Sequence, residues 1–314
     1  MSQNLILVTG ASGQVGSTGY KVIQELLKKG FRVRALVRSI DNRSNALQQL
    51  GSDVEIFKGD MLDFASVQEA VKGVSRIYFV YPVNQGLLQA TTIIAKVAHD
   101  AGIKGIVNMS QSCTIIDALA AISPASREHY YSELVLNWAD VGAVHINPVF
   151  FLENYLVFAG PDFLTSGIAR VPFDPQFTHT PIAANDVAVI IAKVLEDPEP
   201  YFGKQLLLSG PPANKGSWKD HIEIASNIIG KDLKFEHVPI EAWAKQASKF
   251  INDYAIVHLS KMALVYNSGR FDISVPTISK FIPEDQQTTI EKFFKKNSNL
   301  FSEQGAKQVF GDGK

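Results

Sequence analysis

The chain has 314 residues, of which 46% are hydrophobic and 19% charged, and its formal net charge is -1. This composition is typical of globular proteins, and it excludes disordered, collagenous and coiled-coil chains. The near-neutral charge provides no basic surface for nucleic acid or for an anionic membrane.

Short apolar runs alternate with helical patterns in the first half of the chain. We predict these runs to be strands, and they are Leu5–Val8, Phe31–Val37, Val54–Phe57, Ile77–Val80, Ile106–Met109 and Val144–Phe151. They are rich in Val and Ile with little polar alternation, as a parallel sheet buried on both faces requires. Because strands that alternate with helices imply right-handed crossovers, the sequence predicts an α/β fold with a doubly wound parallel sheet.

The alternation ends near Phe151, where the pattern of the second half begins. Pro and Gly residues between positions 158 and 181 predict loops. The elements predicted after them are a helix from an Asn185 cap to Glu196, a strand at Gln205–Leu208, a helix between Ser217 and Gly230, a strand at Leu233–Val238 and a mainly helical region over 240–297.

A glycine-rich segment lies directly between the first strand and the first helix. Its residues are Thr9, Gly10, Ala11, Ser12, Gly13, Gln14, Val15 and Gly16. Glycines there permit a tight turn and close approach of the backbone to a pyrophosphate, and the helix N-terminus contributes free N–H groups. The spacing is Gly-x-x-Gly-x-x-Gly, and its position after a strand and before a helix predicts a dinucleotide site.

A cation near the end of the second strand indicates which dinucleotide binds. Arg38 lies 22 residues after Gly16, where an NAD-binding protein would place an acidic residue for the ribose 2′-hydroxyl. A guanidinium suits a 2′-phosphate, so we expect NADP(H) to be preferred over NAD(H). Asp41 opposes this interpretation, because its carboxylate is close enough in sequence to approach the ribose.

These features predict two domains. The nucleotide-binding domain comprises residues 1–150, with 181–198 returning to it. A smaller mixed α/β lobe comprises 151–180 and 199–301, and 302–314 form a flexible tail. The cleft between the domain and the lobe is where we expect a small-molecule substrate.

Several segments resemble the NmrA-like branch of the atypical short-chain dehydrogenases/reductases. The glycine loop, Arg38 and Gly59-Asp60-Met61 match the wider superfamily. The branch is indicated by the segments Asn147–Asn154, Thr180–Ala188 and Gly203–Pro212. The resemblance covers residues 3 to about 245 and implies a Rossmann sheet, with function similar to NADPH-dependent quinone reductases and isoflavone-reductase-like proteins.

The resemblance also implies roles for single residues at matching positions. Asp60 and Met61 would border the adenine, Tyr81 and Pro82 would line the cofactor cleft, and Pro148 and Phe150 would flank the nicotinamide. Ser110 stands where typical members keep a catalytic Ser or Thr. For Tyr81 and Phe150, ordinary packing is an equal alternative.

The catalytic pair of typical members is absent. Their Tyr-x-x-x-Lys pair supplies the acid, but Tyr130 and Tyr131 are followed four residues later by Leu134 and Val135. His129 stands where related members carry a Lys. A helix that begins at Ser123-Pro124 would place Glu133 one turn after His129 on the same face, which makes His129 a candidate proton donor or nicotinamide-ribose contact.

The candidate catalytic residues are therefore His129, Ser110 and Tyr130. The alternative for the His129–Glu133 pair is that it only packs under the cleft. Reduction of a quinone gives an anion of pKa roughly 10, by analogy with tyrosine, and solvent can protonate it.

Three functions follow from this combination. The first is an NADPH-dependent oxidoreductase that transfers hydride to a quinone, enone, imine or similar conjugated acceptor. The second is a non-catalytic NADP(H)-sensing regulator of the NmrA type, and the third is a sugar epimerase or dehydratase of the extended branch. Six aromatic residues of the lobe either form a flat slot or serve its core, namely Tyr155, Phe158, Phe163, Trp243, Tyr254 and Tyr266.

Other signals narrow the compartment and the partners. The single cysteine, Cys113, excludes an internal disulfide and suits a reducing compartment. No signal-peptide pattern and no apolar run of roughly 18 residues occurs, so we expect a cytoplasmic protein with no membrane partner. The histidines are widely spaced, and we expect no metal site. A homodimer is left open.

Overall fold

A computed structural model of the chain describes residues 5–13, 18–115 and 122–310. The strands in these ranges are β1 (Leu5–Val8), β2 (Arg32–Val37), β3 (Val54–Lys58), β4 (Arg76–Phe79), β5 (Ile106–Met109), β6 (Ala143–Pro148), β7 (Ile168–Val171), β8 (Gln205–Leu208) and β9 (Lys234–His237). The α-helices are α1 (Thr18–Lys28), α2 (Asn42–Gln48), α3 (Phe64–Ala70), α4 (Leu87–Asp100), α5 (Pro124–Trp138), α6 (Asn154–Ser166), α7 (Ala184–Glu196), α8 (Trp218–Ile229), α9 (Ile240–Ala247), α10 (Asp253–Tyr266), α11 (Ile290–Lys296) and α12 (Glu303–Phe310).

Seven strands form one sheet in the order β3-β2-β1-β4-β5-β6-β8. The pairs from β3 to β6 in this order are parallel, and the order reverses between β1 and β4. This is the doubly wound arrangement, so the predicted α/β fold is confirmed. The strands β7 and β9 form a separate parallel pair.

Both faces of the large sheet are buried. Leu5, Leu7, Ile77 and Phe79 belong to a core cluster with residues of α3, α4 and α5. Because side chains alternate along a strand, Tyr78 of β4 faces the opposite side of the sheet, where it is also fully buried. Burial of both faces explains why the strands are continuous apolar runs.

The chain divides into two compact units. The first unit comprises Met1–Pro148 and Val187–Leu207, and the second comprises Val149–Asp186 and Leu208–Lys314. The helix predicted from Ser217 to Gly230 is present in the second unit as α8. Ser217 and Asp220 cap its N-terminus, and Gly230 ends it with a left-handed backbone.

The loops predicted between positions 158 and 181 are partly wrong, because α6 and β7 occupy much of this segment. The helix α6 is kinked at Gly160, whose φ is 71°, and Pro161 follows the kink. A Cβ at Gly160 would lie 2.7 Å from the ring of Phe250. Proline is tolerated there because the helix restarts, so its missing N–H costs no hydrogen bond.

Two helix boundaries also differ from the sequence predictions. The helix α7 begins at Ala184, so Asn185 lies in its first turn and does not cap it. The helix α12 occupies the first part of the segment predicted as a flexible tail, and its Gly305, Ala306 and Val309 are buried. The apolar face of this short helix explains why it packs. No helix within the described ranges has the length and apolar character needed to cross a membrane.

Candidate functional site

The glycine loop begins in a turn that only glycine fits. Thr9 follows β1, and its hydroxyl donates to the carbonyl of Val80 and accepts from the N–H of Val80, both at 2.8 Å. Gly10 has a φ of 58°, and a Cβ there would lie 2.7 Å from Cγ1 of Val80. The left-handed backbone and the close approach of β4 both require a residue without a side chain.

The middle of the loop is only partly described. Ala11 is buried, Ser12 is half-buried, and Gly13 is exposed with its N–H donating to the carbonyl of Gly10 at 3.3 Å. The predicted cofactor residues Gln14, Val15 and Gly16 lie outside the described residues. The structure adds Gly19, where a Cβ would lie 2.5 Å from the carbonyl oxygen of Gly10. Gly19 therefore lets the first turn of α1 pack directly on the loop.

Arg38 is exposed immediately after β2. None of the ion pairs among the described residues uses its guanidinium. Asp41, the carboxylate that weakened the sequence argument, caps α2 by accepting from the N–H groups of Arg43 and Ser44. The side chain of Arg43 also pairs with Asp41 at 2.9 Å, and these contacts hold the pKa of Asp41 well below its usual range. The carboxylate of Asp41 is therefore engaged by the start of α2 and by Arg43.

Predicted cofactor residues follow three strands at the carboxyl edge of the sheet, namely Arg38 after β2, Asp60 and Met61 after β3, and Tyr81 and Pro82 after β4. Tyr81, after β4, is within electrostatic range of both Asp60 and Arg38, and burial is the main cause that raises its pKa. Asp60 is exposed after β3, and its carboxylate accepts from the N–H of Leu62 at 2.9 Å. Met61 is half-buried against the core cluster. Pro82 is exposed after Tyr81. Ligands of open α/β sheets bind at this edge.

Ser110, directly after β5, belongs to a buried polar network that we call the Glu133 network. The hydroxyl of Ser110 donates to Oε1 of Glu133. The same oxygen accepts from Thr114 at 2.7 Å and from the amide of Asn147 at 2.9 Å, and Oε2 accepts from the amide of Gln205 at 2.5 Å. The Glu133 side chain is therefore surrounded by four hydrogen-bond donors.

This network limits what Ser110 can do chemically. A serine hydroxyl has one proton and two lone pairs, and the proton of Ser110 is directed at Glu133. Toward any other partner, Ser110 is then a hydrogen-bond acceptor and not an acid. Sequence patterns do not reveal this arrangement, because its five members come from the residue after β5, a 3-10 turn at Ser112–Ile115, α5, β6 and β8.

The candidate catalytic helix is α5, which begins at Pro124 with Ser123 as its cap, as predicted. His129 is buried on this helix and Tyr130 is half-buried. Tyr131 is 47% exposed, and its ring lies 5.9 Å from that of Tyr130. Neither tyrosine is followed by a lysine one turn later, so the acid of typical members is absent from α5.

The two residues expected at the nicotinamide lie in different units. Pro148 is the last, buried residue of β6 in the first unit. Phe150 belongs to the second unit, where its ring is stacked 6.0 Å from Phe158 and meets His179 edge-on at 4.9 Å. Phe150 is only half-buried, so one part of its ring remains accessible.

A second buried polar group, missed by the sequence analysis, lies entirely in the second unit. We call it the Tyr–His chain. The hydroxyl of Tyr155 bonds Nε2 of His179 at 3.0 Å and Nδ1 of His221, and the hydroxyl of Tyr266 bonds Nδ1 of His179 at 2.7 Å. Burial lowers the pKa of His221 to about 4 and that of His179 well below its usual value, so both rings are neutral.

The aromatic residues proposed for a flat slot mainly form the core of the second unit. Five of them are buried, namely Tyr155, Phe158, Phe163, Trp243 and Tyr266, and Tyr254 is half-buried. No group of three or more His, Cys, Asp or Glu side chains in the described ranges is arranged to hold a metal. Burial raises the pKa of the Cys113 thiol to about 11, which disfavours the reactive thiolate.

Comparison with known proteins finds a family model and relatives that match this chain. The model of the family described as "NmrA-like family" matches residues 2–294. The chain is 27% identical over 241 residues to a (4-alkanoyl-5-oxo-2,5-dihydrofuran-3-yl)methyl phosphate reductase of Streptomyces griseus. That alignment covers 76% of this chain and 78% of the relative.

Two solved structures share the fold. An NADPH-dependent quinone oxidoreductase of Escherichia coli, complexed with NADPH, is 22% identical with a TM-score of 0.77, over 95% of this chain and all of the other. NmrA, a negative transcriptional regulator in complex with NADP, is 15% identical with a TM-score of 0.78, over 97% of this chain and 98% of the other. At these identities the likeness establishes the fold.

Proposed function

This chain belongs to the NmrA-like family, and we propose that it is an NAD(P)H-dependent oxidoreductase that uses NADPH to reduce a small conjugated acceptor such as a quinone, enone or imine. When bound, the cofactor supplies the hydride. The residues of this chain bind it, orient it and keep water from it.

The observation that supports NADPH over NADH is the difference in contacts between Arg38 and Asp41, which both follow β2. Arg38 is exposed, while the carboxylate of Asp41 caps α2 and pairs with Arg43. A guanidinium binds a phosphate with two parallel hydrogen bonds, which a ribose hydroxyl cannot match. Asp60 and Tyr81 lie within electrostatic range of one another and suit the adenine side of the same site.

The class of hydride acceptor is inferred from two candidate sources of a proton, which are Ser110 and the residues of α5. The proton of Ser110 goes to Glu133, and α5 has no Tyr-x-x-x-Lys pair. A simple ketone would form a strongly basic alkoxide that needs a positioned acid. A quinone or enone forms a delocalised anion that solvent can protonate. The name of the Streptomyces griseus relative denotes a furanone whose ring double bond is conjugated to carbonyl groups, which agrees with this class.

In this proposal His129 is the remaining candidate donor near the reacting end. Its burial on α5 disfavours a purely solvent-facing role. The nicotinamide side of the site would include Ser110 as an acceptor for an N–H or O–H group, together with Pro148.

Steady-state oxidation of NADPH, followed at 340 nm with a panel of quinones, an enone, an imine and a simple ketone, tests the proposal. We expect turnover with the conjugated acceptors and none with the ketone. The His129→Ala variant should lose at least tenfold in kcat if His129 donates a proton. Tyr131→Phe, on the exposed face of the same helix, is the matched control and should keep wild-type rates.

A non-catalytic NADP(H) sensor is the second candidate, and the missing acid on α5 is the observation that favours it. Tight binding of both NADP and NADPH with no turnover on any acceptor would establish the sensor and reject the reductase. The epimerase or dehydratase alternative predicts turnover of a nucleotide sugar without net NADPH oxidation.

A further inference from the structure

Tyr78 of β4 is a fully buried tyrosine that the proposed function does not use. Its hydroxyl bonds the hydroxyl of Thr18, which is itself only 4% exposed. Thr18 is the first residue of α1, the helix that follows the glycine loop. Burial raises the pKa of Tyr78, so the phenol stays protonated and the contact is a neutral hydrogen bond.

Tyr78 of β4 and Val80, which follows the strand, make contacts on both sides of the glycine loop. These contacts are to Thr9 and Gly10 at its start and to Thr18 at the start of α1. At the entry, Thr9 exchanges two hydrogen bonds with Val80, and its N–H donates to the carbonyl of Tyr78 at 3.1 Å. Gly10 then packs directly on the side chain of Val80. At the exit, the hydroxyl of Tyr78 holds Thr18.

A phenylalanine would fill the same buried space as Tyr78 and avoid the cost of burying a hydroxyl. The hydroxyl therefore adds one thing, which is the bond to Thr18. Anion binding at a helix N-terminus depends on where the first N–H groups point, and a preorganised site loses less entropy when the ligand binds.

We propose that Tyr78 is a positioning residue for the pyrophosphate of the dinucleotide, acting through Thr18 at the start of α1. This inference rests on the proposed function, because it requires that a dinucleotide binds at the glycine loop. It assigns Tyr78 no contact with the cofactor. The hydroxyl sets the first turn of α1 in place before the ligand arrives.

The test compares two ligands that both contain the adenine and the 2′-phosphate and differ in the pyrophosphate. NADPH contains the pyrophosphate, whereas adenosine 2′-monophosphate has the adenine and the 2′-phosphate without it. For Tyr78→Phe we expect the Kd for NADPH to rise about five- to tenfold, the scale of one lost hydrogen bond, while the Kd for adenosine 2′-monophosphate changes less than twofold. A structural defect of the whole unit would weaken both ligands equally.

Variants of Thr18 test the same bond from its other end. Thr18→Val removes the hydroxyl at nearly constant shape and should match Tyr78→Phe, whereas Thr18→Ser keeps the hydroxyl and should retain wild-type affinity. In the double variant the two effects should not multiply, because both remove one bond. Tyr266→Phe, which removes another buried tyrosine hydroxyl but in the second unit, is the control and should leave both Kd values unchanged.

The outcomes distinguish the role of Tyr78 from the proposed function on which it rests. A wild-type protein that binds neither NADPH nor NADP would overturn the proposed function and this inference together. Wild-type binding of NADPH with unchanged affinity in both Tyr78→Phe and Thr18→Val would overturn the inference alone. Should Tyr78→Phe not fold, Thr18→Val gives the same answer, with folding checked by its thermal midpoint.

Discussion

The two units each contain a buried polar network, and the two networks have opposite chemistry. In the first unit, the Glu133 network gathers four neutral donors around one carboxylate. In the second unit, the Tyr–His chain joins two neutral imidazoles through tyrosine hydroxyls. The Glu133 network is built around a carboxylate, whereas the Tyr–His chain is built from neutral rings.

This difference shows how burial alone fails to identify a functional site. Both networks contain residue types that sequence reasoning associates with catalysis. The Glu133 network includes Ser110, at the carboxyl edge of the sheet where ligands of this fold bind. The Tyr–His chain is enclosed in an aromatic core, with the Tyr155 ring 4.1 Å from that of Trp218. We therefore expect changes in the first network to alter cofactor chemistry as well as stability, and changes in the second to alter stability alone.

The largest effect is expected from removing the carboxylate of the first network. Glu133→Leu leaves three buried donors and the amide of the exposed Gln205 without their acceptor, and we expect it to lower the free energy of unfolding by about 4 kcal/mol. Glu133→Gln keeps one oxygen for three of the donors, so its loss should be about 1–2 kcal/mol. Urea denaturation measures both. Equal stability of the two variants would contradict the role assigned to the carboxylate.

Acid should destabilise the second unit through its neutral histidines. The pKa of His221 is lowered to about 4 by burial, whereas an unfolded histidine titrates near 6.5. The folded protein therefore binds fewer protons than the unfolded one between these values, and stability falls as the pH falls from 6.5 to about 4. The full loss from His221 is roughly 3 kcal/mol.

The free energy of unfolding, measured as a function of pH, checks this expectation. In His221→Gln its slope should correspond to about one proton fewer than in the wild type. His99→Gln, which changes an exposed histidine, should retain the wild-type slope. A wild-type stability that is constant from pH 7 to pH 4.5 would show that the Tyr–His chain tolerates charge.

A smaller effect is expected from cutting the Tyr–His chain at its centre. Tyr155→Phe leaves facing nitrogens of His179 and His221 without the hydroxyl, at a cost of about 2 kcal/mol in stability. Its Kd for NADPH should not change. Tyr131→Phe is the exposed counterpart and should alter stability by less than about 0.5 kcal/mol. A change in NADPH affinity for Tyr155→Phe would break the division of roles between the networks.

The smallest effect is expected at Cys113. Its thiol is buried and its pKa is raised to about 11, so almost none of it is thiolate at neutral pH. Iodoacetamide should leave the folded protein unlabelled at pH 7.5 and label it fully in urea. Rapid labelling of the native protein, measured by intact mass, would place a reactive thiol beside the Glu133 network.

The sequence predicts the parts of the molecule that depend on neighbouring residues. The strands from Leu5 and Ile106, the cap at Ser123 and the glycine loop are all set by short patterns, and the structure reproduces the strand bounds and the cap. Arg38 can be proposed from the sequence as a cofactor residue, because one βαβ unit sets its distance from the glycine loop.

The polar networks were not predictable from such patterns, because their members meet only through the tertiary fold. Glu133 lies 72 residues before Gln205, and Tyr155 lies 66 residues before His221. The role of Asp41 also depends on contacts that its sequence position alone does not settle. Its position near Arg38 suggested a ribose contact, but a local hydrogen bond to the start of α2 competes for the carboxylate.

Calorimetric titration of the wild-type protein with NADPH and with NADH tests the central claim most directly. Two charge-assisted hydrogen bonds from Arg38 to a 2′-phosphate are worth about 1.5–3 kcal/mol, so NADPH should bind roughly 10- to 100-fold more tightly, and Arg38→Ala should remove the difference. Equal affinity for the two nucleotides, or tighter binding of NADH, would contradict the account.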